Sequence, residues 1–195
     1  KMRAHMIIVV FFSFLSASLG LADECIEGDC VNGYGTLVTS TGQKFIGHFK
    51  DGLRHGKGVF ILPGGRKLEG TWQDNEIVEG TYTKPDGTRY SGQWKYRERN
   101  GRGELTFPDG RHYIGEFKSD QRHGKGTLWY PDGRKYEGDF QFGERTGQGT
   151  MTYPDGRKYS GGFENGEWSG QGTLTYPDGK TQSGEFKHGE FLGDQ

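Results

Sequence analysis

Residues 130–140 read YPDGRKYEGDF, and their reading decides the fold. Near copies recur as YPDGRKYSGGF at 153–163, FPDGRHYIGEF at 107–117 and YPDGKTQSGEF at 176–186. Pro presets the φ of a turn's first central residue, Asp favours the turn, and Gly accepts a positive φ. A type I turn followed by a left-handed glycine closes a short hairpin loop. Beyond the turn, Tyr136, Gly138 and Phe140 alternate with Glu137 and Asp139. Successive strand residues point to opposite faces, so the rings share one face and the acids the other. Gly149, Met151 and Tyr153 alternate with Thr150 and Thr152 in the same way, which predicts a second strand. Gly138 and Gly149 fall on the ring face, where they clear space for rings.

All six prolines lie at one position of this pattern, at 63, 85, 108, 131, 154 and 177. The spacing is 23 residues except for one step of 22 between Pro63 and Pro85. A fixed period of this size signals an array of supersecondary units. Units begin at Phe45, Leu68, Tyr90, Tyr113, Tyr136 and Tyr159; a truncated seventh begins at Gln182, and a half-unit at 28–44 leads the series. Each unit reads as two strands joined by a polar loop. One unit buries too few rings to offset the ordering of its own chain, so neighbours must share the core. The expected fold is all-β: an elongated, single-layer, twisted antiparallel sheet of tandem hairpins of about 23 residues.

Composition supports this. Gly contributes 36 of 195 residues, against about 7% in average proteins. Aromatic residues make up 14%, which argues against disorder, while apolar residues total only 30%, too few for a thick core.

The first 22 residues differ from the rest. Lys1 and Arg3 precede an apolar run from Met6 to Leu15, and Gly20-Leu21-Ala22 stands before Asp23. This is the layout of a signal peptide with small residues at −3 and −1. The alternative is an uncleaved membrane anchor through residues 6–22, marginal in length for a bilayer. The expected organisation is therefore 1–22 signal or anchor, 23–44 N-terminal cap and half-repeat, and 45–195 repeat array. Cleavage removes two of the 25 basic residues and none of the 26 acidic ones. A nucleic-acid partner is excluded on that balance, since phosphate contacts need a basic surface. Cys25 and Cys30 lie five apart in an exported chain, which predicts a local disulfide rather than a metal site.

The repeat resembles the MORN repeat family, whose signature matches YEGDF-x2-G-x3-GQGTMTY-PDG as it stands at 136–156. The resemblance covers 28–193. It implies an elongated twisted antiparallel sheet and a scaffolding or adaptor role, often near membranes and with phospholipid binding in some members, and it carries no catalytic residues. Choline-binding repeats use aromatic hairpins of similar length but depend on paired Trp-Tyr clusters, which four Trp do not supply.

Little else points to chemistry. Gly-x-Gly pairs such as Gly101-Arg102-Gly103 lack the strand-to-helix context and Lys-Ser/Thr of a phosphate loop. His55 and His123 share a repeat position three units apart and cannot chelate one ion. No enzyme activity and no cofactor are expected. The departures from the pattern are the candidate interface. Trp129 replaces Thr on the polar face, Trp168 stands in the loop GEWSGQG, and Ile77 and Val78 stand in the shortened loop NEIVEG. Gln182 stands where other units have an aromatic residue or Leu, and Phe191 and Leu192 have no following unit to cover them. Arg97 falls where most units carry a loop glycine, which predicts a different loop shape there. The chain reads as an exported scaffold, periplasmic or extracellular, that assembles with a protein partner or with itself. A glycan- or phospholipid-headgroup-binding module using the aromatic face is the second reading. A membrane-anchored subunit of a larger complex is the third.

Overall fold

The computed structural model describes residues 23–193, all strand and turn. The strands are β1 (Glu24–Gly28), β2 (Tyr34–Val38), β3 (Lys44–Lys50), β4 (Leu53–Ile61), β5 (Lys67–Gln73), β6 (Glu76–Thr83), β7 (Arg89–Lys95) and β8 (Glu98–Thr106). They continue with β9 (His112–Lys118), β10 (Gln121–Trp129), β11 (Lys135–Gln141), β12 (Glu144–Thr152), β13 (Lys158–Glu164), β14 (Glu167–Thr175), β15 (Thr181–Lys187) and β16 (Glu190–Gly193). They pair in chain order as one open antiparallel sheet of 16 strands. The signal or anchor reading of 1–22 lies outside the described residues.

Each Pro-Asp-Gly joins one unit to the next, as the sequence predicts. Around Pro131, Gly133 N donates to Tyr130 O at 3.0 Å and Tyr130 N donates to Arg134 O at 2.9 Å. Gly133 holds φ +87°, the left-handed residue that closes the loop.

The polar loop inside each unit does not exist. Two central residues of positive φ make the connection, as at Phe142 (+52°) and Gly143 (+86°). That is a type I′ hairpin turn, whose twist matches the flanking strands. Arg97 keeps this shape, with φ +63° beside Tyr96 at +54°, so the expected change of loop shape does not occur. Arg97 is held there by Glu76, with Nε 3.1 Å from Oε1. Gly-x-Gly marks a bulge instead. Gly138 pairs with Gly149, but Asp139 pairs with Thr146, so Gly147 and Gln148 bulge out of β12. In the second unit Thr71 pairs with Glu79 and Trp72 with Ile77, leaving only Val78 outside the register. One bulge residue fewer is the missing residue of the 22-residue step.

Register aligns a single glycine from each of β1 to β15 in one continuous row, from Gly28 and Gly35 through Gly138 and Gly149 to Gly184. The ring of Tyr136 lies over this row. A Cβ added to Gly149 would stand 2.5 Å from it, and one added to Gly138 would stand 2.5 Å from its hydroxyl. The space therefore serves the unit's own tyrosine. Its hydroxyl donates to Asp139 O at 3.0 Å, and Tyr90, Tyr113 and Tyr159 do the same three residues on. Burial pushes the Tyr90 and Tyr159 phenols up to about 12, and Tyr113 and Tyr136 higher still.

Candidate interaction surfaces

From the fourth unit on, the ring face is filled rather than open. Tyr113 meets Phe117 and Phe140 edge-on at 5.2 and 5.0 Å, and Tyr136 meets Phe140 and Phe163 at 5.1 and 4.9 Å. Such edge-to-face pairs add to simple area burial. An arginine plate covers each pair. The Arg145 guanidinium lies 5.7 Å from the Tyr136 ring and 5.9 Å from Phe163, and Arg122 lies 5.9 Å from Tyr113 and 5.4 Å from Phe140. Each plate also grips the next unit: Arg122 Nη2 donates to Gly143 O at 2.6 Å, while Gly143 N donates back to Arg122 O at 3.0 Å. Arg99 and Arg54 repeat this with Asp120 and Asn75.

This arrangement moves three sequence candidates. Trp168 is in β14, not in a loop, at the position of the arginine plate. Its ring stacks on Tyr159 at 4.3 Å and 8°, so it replaces one flat cover with another. Ile77 and Val78 are in β6, not in a loop. Ile77 also takes the plate position and is only 1% exposed, packed with Phe45, Phe49 and Trp72. Only Val78 is exposed. Phe191 takes the last plate position, 5.1 Å from Phe186, and leaves Leu192 exposed. Gln182 stands in the tyrosine row and accepts a hydrogen bond from Tyr176 Oη at 2.7 Å.

Trp129 does lie on the opposite face, as strand parity predicts. It stacks on His112 at 5.0 Å, with Lys135 Nζ 5.8 Å from its ring, and His112 Nε2 meets Glu104 Oε1 at 2.7 Å. The candidates therefore do not converge on one site. Cys25 and Cys30 form the expected disulfide, which ties β1 to the turn before β2.

The feature the sequence reading missed is on Trp129's face. Three cavities of 870, 690 and 640 Å³ run end to end there. The first two share Glu79 and Ser91; the last two share Lys125, Glu137 and Gly138. They form one trough across the strands from Tyr34 to Gly184, floored by the backbone of the glycine row. One wall carries Ile46, Val59, Ser91, Ile114, Thr127 and Ser160; the other carries Lys57, Arg102, Glu116 and Lys125. The walls are two residues apart along each strand, about 6.8 Å. Among the described residues no group of three His, Cys, Asp or Glu side chains is placed to hold a metal ion.

A tandem-hairpin sheet with a ring-and-glycine core defines the class of open repeat sheets. The chain belongs to the MORN repeat family, whose pattern matches six consecutive repeats at 45–65, 69–89, 90–110, 113–133, 136–156 and 159–181. No curated protein sequence matches it significantly. Among solved structures it is similar to the SAS-4 (dCPAP) TCP domain of Drosophila melanogaster, in complex with a proline-rich motif of Ana2. The TM-score is 0.52 at 13% identity, covering 96% of this chain and 97% of that one. A mutant TCP10 domain of Danio rerio CPAP aligns with TM-score 0.48 at 17% identity, covering 78% of this chain and 72% of that one. A CPAP G-box domain aligns with TM-score 0.48 at 18% identity, covering 85% and 100%.

Proposed function

We propose that this chain is an exported, non-catalytic scaffold on which an extended protein segment docks, lying along the trough. The continuity of the trough over the glycine row carries this reading. The two wall rows stand about 6.8 Å apart, centre to centre, on either side of the bare backbone, and an extended chain laid along the trough meets both rows. The repeat also sets a period. Two strands advance the sheet by about 9.6 Å, and a polyproline II chain advances about 9.3 Å per three-residue turn. A proline-rich segment thus meets equivalent wall positions once per unit. The SAS-4 TCP domain, a sheet of the same fold, is complexed with a proline-rich motif, which supports the same use here. The leader-like residues 1–22 and the Cys25–Cys30 bridge support export to an oxidising compartment.

The test is a titration of the isotope-labelled protein with a synthetic peptide of repeated Pro-Pro-Ala and a Gly-Ser control of equal length. Amide shifts are expected along the wall residues Thr127 and Ser160 with the first peptide only, and Thr127→Arg or Ser160→Arg abolishes them. Shifts elsewhere, or none, sink the trough reading. N-terminal sequencing of native protein tests export, with Asp23 expected as the first residue.

A further inference from the structure

The second unit departs from the repeat at several places, and they meet at one pocket on the ring face. In later units Phe107, Tyr130, Tyr153 and Tyr176 precede the turn proline and pack on the core. Tyr130 reaches the next unit's plate, with the Arg145 guanidinium 5.9 Å from its ring. An arginine four residues further on covers that ring from outside, as Arg134 covers Tyr130 at 4.8 Å. At the corresponding places the second unit has Lys84 and Thr88. Lys84 is exposed and lays no ring over Tyr82, Trp94 and Arg99. A pocket of 570 Å³ opens there, within the range of small-molecule sites.

Its lining is two-sided. Tyr82, Trp94 and Leu105 form an apolar floor, and Arg66, Lys84 and Arg97 bring positive charge to the margin. Arg97 is paired with Glu76, and Arg99 with Asp120 at 3.0 Å. Arg66 and Lys84 are in no ion pair among the described residues. In four later units a ring fills this place, and at Tyr130 an arginine plate contacts it. A flat ring is therefore the shape that fits, and a negative charge on it matches the two unpaired cations.

We propose that this pocket binds a flat aromatic anion, its ring replacing the repeat's own ring beside Tyr82, Trp94 and Arg99, its charge facing Lys84 and Arg66. This site is on the face opposite the trough and stands independently of the docking reading.

The test uses 1-anilinonaphthalene-8-sulfonate as the probe and uncharged N-phenyl-1-naphthylamine as its control, followed by probe and tryptophan fluorescence. One sulfonate per chain is expected, with the neutral compound about ten-fold weaker. Lys84→Tyr restores the repeat's own ring and is expected to weaken binding about ten-fold while the strand spectrum is unchanged. Arg66→Gln, at an exposed position that cannot disturb folding, is expected to weaken the sulfonate several-fold and leave the neutral compound unaffected. The proposal fails if Lys84→Tyr binds as tightly as the parent. It also fails if charge on the probe makes no difference, or if probes bind in proportion to the number of repeats. Should Lys84→Tyr not fold, Arg66→Gln alone decides.

Discussion

The regular stretch 113–156 and the second unit, 68–87, solve one packing problem with different side chains. In the regular stretch a tyrosine ring lies over two glycines, a phenylalanine meets its edge, and an arginine plate covers both. In the second unit Leu68 stands in the tyrosine row and Ile77 at the plate position. The Cδ1 of Ile77 comes within 2.8 Å of where a Cβ on Gly80 would be, so a folded-over isoleucine fills the space the tyrosine ring fills elsewhere. The core divides at this point into one cluster around Phe45, Trp72 and Ile77 and another from Tyr90 to Phe186, with Trp94 touching both. The glycine row is therefore the fixed element, and what covers it is interchangeable in kind but not piecemeal. A leucine with an arginine would leave the row half covered.

Alkali should separate the two regions most strongly. The phenols of Tyr90 and Tyr159 titrate at about 12 when folded and at about 10 when unfolded. Their folded values are raised, so the stability they confer is complete below pH 10 and is lost as pH rises through 12. Amide exchange followed across that window should show protection lost first in β7–β15, where these tyrosines lie. Loss beginning in β5 and β6 would contradict this account.

Tyr136→Leu imitates the second unit without its isoleucine. It removes a buried ring and a hydrogen bond, and should cost about 3 kcal/mol in denaturant unfolding. Adding Arg145→Ile should recover part of that cost, a coupling of about 1 kcal/mol in the double-mutant cycle. Strict additivity would mean the second unit is not an alternative packing of the same site.

Arg145→Ala should be milder, at about 1.5 kcal/mol, from the lost cover and the lost bond to Gly166 O. Trp168→Arg, which restores the majority residue, should change stability by less than about 0.5 kcal/mol. A large loss there would show that Trp168 does more than cover Tyr159.

The smallest effect expected is a gain. Arg97→Gly relieves a non-glycine residue at φ +63° and gives up an exposed pair with Glu76. The net should be a stabilisation of about 0.5 kcal/mol, read as a higher midpoint of thermal unfolding.

The strands, their parity and the inter-unit turn were legible because each rests on residues that recur with little change: Tyr136, Gly138 and Phe140, then Pro131-Asp132-Gly133. The inner turn was not. Its two central residues vary from Asp51-Gly52 to Ser119-Asp120 and Tyr96-Arg97, and only the twist of the paired strands holds them in one shape. Gly-x-Gly looked like the end of a loop because a bulge leaves the same signature as a turn, and that misplaced Trp168 and Ile77. The arginine plate left a readable signal, in Arg54, Arg99, Arg122 and Arg145 at one repeat position, but a lone arginine reads as solvated until a ring is known to lie under it. The trough had no signal in side chains, since its floor is backbone and a side chain at any row position would point to the ring face.

The glycine row bears on how such a gene can change length. Residues 130–140 and 153–163 differ at few positions, and a copying error that misaligns them would add or delete 23 codons in frame. Each such event inserts or removes two whole strands, with one tyrosine over the row, one cover and two members of the row. Register across the junction is preserved, because the turn proline and the row glycines keep their offsets. Errors of other lengths keep the row only where the bulge beside Gly-x-Gly absorbs them, as the single residue missing from the second unit is absorbed at Val78. Selection on copy number can then lengthen or shorten the protein one hinge-to-hinge step at a time without redesigning its interior.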